Sequence, residues 1–246
     1  MTPTDAPITE SSTWFVATTK AIRAETPTVK TFTFEAPHKI EHSAGQHYEI
    51  RLTAPNGYQA ARLYSAATAA NNTNLLELTV ALVPAGEVTP YLCNQLKIGE
   101  DIEIRGPLGK SFIWQPSMRE PLLLIAGGSG VVPMRCIIQA HTLTGSKTPV
   151  YLLYGARSQS DIIYSAEFAA GSPHVTTKIV LSDSWPEHWP GETGFITPEL
   201  ITQALHALPK DPRVFICGAT PFVELMADDL VKLGVPPAHI RAERFG

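Results

Sequence analysis

Apolar positions in this chain come in short runs, and their period changes part-way along. Over residues 14–113 the runs alternate with polar positions. Stretches 14–21, 29–35, 47–52, 76–83 and 101–105 carry β-branched and aromatic residues, and TFTFEA places Phe32 and Phe34 on one face. Turn residues separate them, at Thr26-Pro27, Pro37, Ala44-Gly45, Pro55-Asn56-Gly57 and the asparagines Asn71, Asn72 and Asn74. Short alternating strands at this spacing predict an antiparallel barrel or sandwich, interrupted by one helix near 89–96. After a polar link the pattern becomes continuous apolar strands at 122–126, 150–156, 177–181 and 214–217. Helical stretches at 131–143, 198–208 and 221–233 fall among them, with a last strand at 239–245. Alternating β and α units predict a doubly wound parallel sheet. The chain is therefore expected to form two domains, an N-terminal antiparallel β domain over 14–115 and a C-terminal α/β domain over 116–246. A polar, flexible tail at 1–13 precedes them.

Composition narrows the partners. The 246 residues include 44% hydrophobic and 17% charged residues, enough apolar material for a sizeable core. A net charge of −4 gives no basic patch for nucleic acid. No apolar run approaches the length of a membrane helix, and the polar start lacks the form of a signal peptide. The three cysteines, Cys93, Cys136 and Cys217, are far apart, and the eight histidines show no metal-ligand spacing. No metal site is expected, and a cytoplasmic protein with reduced thiols is the expectation.

Three stretches carry candidate chemistry. In LLLIAGGSGVVP a buried strand turns on Gly127, Gly128, Ser129 and Gly130 and enters a helix near Pro133. That layout brings bare backbone N–H groups under a bound phosphate, although its spacing is not G-x-G-x-x-G. In Arg62-Leu63-Tyr64-Ser65 a guanidinium fork suited to phosphate oxygens precedes a flat ring with a polar tip and a small hydroxyl. In GEVTPYL, Gly86, Val88 and Thr89 lead into an apolar helix, as a phosphate seat or with Thr89 as a plain helix N-cap before Pro90.

Taken in order, AGQHYEIRL, RLYS, GEVTPYL, GPLG, AGGSGVVPM, YGARSQSDIIY, VFICGATPFVELM and the terminal ERFG resemble the ferredoxin–NADP reductase superfamily over nearly the whole chain. The resemblance implies a flavin-binding antiparallel β-barrel followed by a nicotinamide-binding parallel sheet. It implies a flavoprotein that takes hydride from NADH or NADPH and passes electrons to a small-molecule or protein acceptor, such as a small redox protein. An electron-transfer or regulatory subunit of a larger complex is the alternative. It assigns Arg62 to flavin phosphate, Tyr64 to the isoalloxazine ring, Ser65 to the flavin N5, and Gly86, Val88 and Thr89 to the pyrophosphate-side loop, with Leu63 beside them. It assigns Gly127 to Gly130 and Pro133 to the nicotinamide nucleotide's pyrophosphate, Cys217 and Gly218 to the nicotinamide, and Glu243 and Phe245 to the return toward the flavin.

Two departures matter. Ala81 stands where many FAD-binding members carry a basic residue, which leaves FMN open beside FAD. The chain also has no cysteine-rich ferredoxin module. At the far end of the nucleotide, Arg157, Ser158 and Tyr164 suit a 2′-phosphate, whereas Asp183 repels one and accepts from ribose hydroxyls. The balance leans to NADH.

Overall fold

The computed structural model describes residue 5 and residues 8–245. Residues 1–4, 6, 7 and 246, which include part of the expected tail and the last residue of ERFG, lie outside the described set. The chain forms two compact units, one of residues 5–115 with 135–140, the other of 116–134 with 141 onward.

In the first unit, β1 (Trp14–Thr26), β2 (Val29–Glu35), β3 (His47–Thr53), β4 (Gln59–Ser65), β5 (Leu75–Ala81) and β6 (Asp101–Leu108) make one antiparallel sheet in the order β4-β3-β6-β1-β2-β5. A bridge between Ala66 and Leu78 ties the two edge strands, so the sheet closes on itself as a barrel. Its interior is what the alternation specifies: Phe32, Phe34, Ile50, Leu76, Leu78, Val80 and Ile104 are fully buried. The rings of Phe32 and Phe34 stack at 6.0 Å. The short helix α1 (Thr89–Asn94) joins β5 to β6.

Three features depart from the predicted pattern. β4 was not expected as a strand, because Gln59-Ala60-Ala61 has little β-branched or aromatic character and Arg62 and Leu63 are exposed. Its pairing with β3 from Thr53↔Gln59 to His47↔Ser65 supplies the order. β1 continues to Thr26 through two register shifts that break its alternation. β6 runs on through Gly106 and Pro107 to Leu108, beyond the alternating stretch 101–105. Residues 8–13 form no regular element yet lie against the barrel. Gln46 donates to Thr9 O (2.9 Å), Ser11 N to Pro107 O (2.9 Å), and Glu10 pairs with Lys110 (2.7 Å).

The second unit is built on β7 (Leu122–Gly127), β8 (Val150–Ala156), β9 (Val175–Leu181), β10 (Glu192–Thr193), β11 (Arg213–Ala219) and β12 (Ile240–Phe245), all parallel, in the order β10-β9-β8-β7-β11-β12. Helices α2 (Val131–Leu143), α3 (Ser165–Ala170), α4 (Pro198–Ala207) and α5 (Thr220–Lys232) intervene. The brief α3 and β10 have no sequence pattern long enough to announce them. Leu123, Ile125, Leu153, Val214 and Ile216 line one face of the sheet and pack with Ile201 and Ala204 of α4 and Val223, Met226 and Leu230 of α5. Thr197 caps α4 by accepting from Leu200 N, and Pro198 opens the helix. The strand order reverses between β7 and β11, the crevice where sheets of this kind take ligands.

Candidate active site

The barrel's contribution starts at the end of β4. Arg62 and Leu63 are exposed, and Tyr64 and Ser65 are half-buried. The Arg62 guanidinium donates to Ala61 O (2.7 Å) and to a Glu87 oxygen (3.1 Å). Glu87 also accepts from the Tyr58 hydroxyl. That bond first, then Arg62, holds the Glu87 carboxyl below the usual carboxylate range. β4 is thereby tied to the loop that holds Gly86, Glu87 and Val88. Burial pushes the Tyr64 phenol well up, so it stays protonated. Its oxygen is buried and has no hydrogen-bond partner among the described residues. Such an oxygen costs about 1–3 kcal/mol unless a ligand completes it. A flat ring with an unfilled hydroxyl, next to an exposed guanidinium, fits a flavin nucleotide.

The loop before α1 is shaped by Thr89. Its hydroxyl donates to Val83 O (3.1 Å) and accepts from Val83 N (2.9 Å). A Cβ on Gly86 would lie 3.1 Å from Val83 O and 3.3 Å from that hydroxyl, so glycine allows the tight closure. The N-cap expected at Thr89 is instead Val88, and Thr89 is the first helical residue; its hydroxyl is drawn away by Val83. Val88 is buried, which leaves only its backbone for a ligand.

In the second unit the glycines of the turn do three different jobs. Gly128 sits at φ +53°, a left-handed conformation that glycine takes without strain. Gly127 lies under the Phe222 ring, where a Cβ would come within 3.1 Å of the ring. Gly130 faces β11: an added Cβ would stand 2.0 Å from Cys217 O and 2.9 Å from Gly218 N. The turn is therefore pressed into the switch point between β7 and β11. The 3₁₀ turn Gly128–Gly130 feeds straight into α2, with Ser129 half-exposed and Pro133 buried in the helix's first turn. The free N–H groups of that helix start suit an anion.

Parallel register sets the remaining predicted residues beside one another. Cys217 of β11 is level with Glu243 of β12, and Ala219 with Phe245. Cys217 is fully buried, and burial first, then the Glu243 carboxylate, pushes its thiol well up. It is a neutral thiol with no thiolate character. Gly218 abuts Phe222, whose ring a Cβ there would meet at 2.7 Å. Phe222 thus packs over both Gly127 and Gly218, a role nothing in the sequence pattern signalled.

At the ends of β8 and β9, Arg157 donates to Asp161 (2.9 Å), and the Ser158 hydroxyl donates to the same carboxylate (2.6 Å). Asp183 N donates to Arg157 O (2.9 Å), and its carboxylate accepts from Ser182 (2.6 Å). Tyr164, expected beside Arg157 and Ser158, is only 4% exposed and packs against Phe168. Its ring belongs to the core. Asp161 was not singled out, although its place four residues after Arg157 is the spacing of a local ion pair.

A closed antiparallel barrel with an arginine, aromatic and hydroxyl at one strand end, followed by a parallel sheet with a glycine turn at its switch point, defines the two-domain flavin- and nicotinamide-dependent oxidoreductases. Family comparison agrees: residues 17–113 match the oxidoreductase FAD-binding domain and residues 124–228 the oxidoreductase NAD-binding domain. Ferredoxin--NADP reductase B of Sorangium cellulosum is 33% identical over 241 residues, 94% of this chain and 97% of that protein. NADH-cytochrome b5 reductase 1 of Cryptococcus neoformans is 32% identical over 204 residues, 78% of this chain and 68% of that protein. The fold is also that of the flavohem-like FAD/NAD-binding domain of nitric oxide dioxygenase from Vibrio cholerae, with a TM-score of 0.83 at 22% identity, covering 94% of this chain and 98% of that one. The chain belongs to the ferredoxin–NADP reductase superfamily. It is an NAD(P)H-dependent flavoprotein reductase, and its flavin is FAD, the choice Ala81 left open. Among the described residues no helix is long and apolar enough to cross a membrane, and no cluster of side chains could hold a metal ion.

Proposed function

We propose that residues 14–115 seat FAD and residues 116–246 present NADH to it, with electrons leaving to a ferredoxin-like protein. The contact of Gly130 with the Cys217 carbonyl carries this reading, because it sets the glycine turn against the cysteine and, by register, Glu243. Bound FAD supplies the hydride acceptor. The chain's own residues hold and orient. Arg62 takes flavin phosphate, Tyr64 supports the ring and Ser65 offers a hydroxyl near N5, with Leu63 and the backbone of Gly86, Val88 and Thr89 alongside. Gly127 to Gly130, with Pro133 in the helix they open, hold the nucleotide's pyrophosphate. Cys217 and Gly218 flank the nicotinamide as small, neutral neighbours, and Glu243 and Phe245 close the site. The named activity of the Sorangium relative supports a ferredoxin-type acceptor. Three buried free cysteines suit the cytoplasm.

The preference for NADH rests on charge. Asp161 pairs with Arg157, so the cation at this strand end already has a counter-charge beside it while Asp183 adds a second carboxylate. A 2′-phosphate would meet a carboxylate, whereas ribose hydroxyls would donate to it. Steady-state kinetics with both nucleotides test the reading. The wild type should favour NADH, and Asp183→Arg should raise the NADPH/NADH ratio of kcat/KM about 10-fold or more, the scale of one charge-assisted hydrogen bond. An unchanged ratio would remove Asp183 from cofactor choice.

A further inference from the structure

Residues 135–140 of α2 group with the barrel, and three of their side chains reach the same short segment of it. Arg135 is only 7% exposed and donates to Ala67 O (2.9 Å) and to a Glu77 oxygen (3.2 Å). Cys136 Sγ donates to Thr68 O (3.1 Å), and Gln139 Oε1 accepts from Ala69 N (3.3 Å). His42 Nε2 also donates to Thr68 O (2.8 Å), because a carbonyl only accepts. Three consecutive residues, 67, 68 and 69, are therefore each bonded through the backbone to one helix, from positions 135, 136 and 139. Positions 135 and 139 lie one turn apart on one helix face. Ala66, Ala67 and Ala69 are buried, and side chains no larger than methyl let the helix come close enough to reach the backbone.

The segment so held follows Ser65 directly. β3 pairs with β4 as far as His47↔Ser65, and the ladder stops there. Just beyond, Ala66 N donates to Gln46 O and Ala67 N to Glu77 O, both at 2.9 Å. The carbonyls of 67 and 68 and the N–H of 69 turn instead to α2, with His42 sharing the middle one. α2 is also the helix that the turn Gly128–Gly130 feeds. An apolar side chain at 135 would fill the same space at no desolvation cost but would order no peptide. We infer that Arg135 is a positioning residue for hydride transfer. With Gln139 it fixes the backbone after Ser65 to the helix that the glycine turn opens, and so sets where Tyr64 and Ser65 stand when the flavin meets its hydride donor. Buried as it is, Arg135 acts through the backbone. This rests on the reading that β4 seats FAD and the glycine turn holds the nucleotide. Hydride transfer needs near-contact geometry, and a misplacement near 1 Å costs on the order of 100-fold.

The test follows single-turnover flavin reduction in FAD-loaded wild type, Arg135→Met, Gln139→Leu and Glu77→Gln. Each is reduced by saturating NADH and, separately, by dithionite, which needs no bound geometry. Arg135→Met should slow reduction by NADH about 10- to 100-fold, with FAD affinity and the half-saturating NADH concentration within about two-fold of wild type. Its dithionite rate should not move. Gln139→Leu, which gives up the Ala69 bond, should slow the NADH step in the same direction by a smaller factor. Glu77→Gln keeps an acceptor for Arg135 and removes the charge, so its Tm should fall while its NADH rate stays within about two-fold of wild type. A folded, FAD-loaded Arg135→Met that NADH reduces at the wild-type rate, or that slows equally with dithionite, would overturn the role. Gln139→Leu at the wild-type rate would overturn it too, and decides the matter if Arg135→Met does not fold. Equal slowing in Glu77→Gln and Arg135→Met would give the effect to the ion pair and overturn the backbone clamp. A wild type that dithionite reduces but neither NADH nor NADPH does would instead strike the reductase reading itself.

Discussion

Arg62→Ala is expected to weaken FAD binding about 10- to 100-fold, the worth of a charge-assisted hydrogen bond to phosphate, while the barrel stays folded. The side chain is exposed at the end of β4, and what it holds within the protein is one exposed ion pair with Glu87 and a bond to the carbonyl of its chain neighbour Ala61. A pair of that kind contributes about 0–1 kcal/mol, so truncation removes little stability. Two residues on, the Tyr64 oxygen is buried with no partner among the described residues, which makes ligand binding the expected main loss. Titrating apoprotein with FAD, alongside a thermal melt of the apoprotein, separates the two effects. Unchanged FAD affinity, or a barrel that fails to fold, would contradict the assignment.

Gly130→Ala should damage both fold and reaction. The new Cβ would lie 2.0 Å from the Cys217 carbonyl oxygen and 2.4 Å from its carbon, backbone atoms that cannot rotate away. Overpacking of this kind costs about 1–3 kcal/mol or more, a fall of roughly 2–12 °C in Tm for a chain of this size. The strain falls on the switch point, where the proposed site aligns the nucleotide's phosphates and nicotinamide. A displacement near 1 Å there slows hydride transfer on the order of 100-fold. Gly127→Ala is the control: its Cβ meets the Phe222 side chain at 3.1 Å, and a ring can yield. Melting curves and single-turnover flavin reduction should rank Gly130→Ala well below Gly127→Ala, and equal behaviour would contradict the role given to the close approach.

These two residues also mark what could be read from the chain before its fold. The period change, from alternation around Phe32 and Phe34 to solid runs such as Leu122 to Ala126, announces two domains because burial on one face or both is written directly into residue order. The glycine turn was legible as a turn. That Gly130 is needed for the approach of Cys217, 87 residues on, depends on β7 and β11 being neighbours, a property of topology. Arg62, Tyr64 and Ser65 were visible as a motif, but the strand bearing them was not, because Gln59 to Ala61 takes its order from β3. Asp161 and Glu87 escaped notice because a lone acid in a polar loop looks like any solvated charge until its partner is in place. Thr89 suits either a phosphate seat or a cap from its neighbours alone, whereas in the fold Val83 claims its hydroxyl.

The central claim is that FAD held by this barrel takes hydride from the nucleotide held by this sheet. Anaerobic addition of NADH to the FAD-loaded protein, followed in the visible spectrum, tests it most directly. The account predicts that the flavin bands bleach at one equivalent of NADH per flavin and that Gly130→Ala slows the bleaching without loss of bound FAD. Flavin bands that persist with NADH and NADPH alike, in protein that retains its FAD, would contradict it.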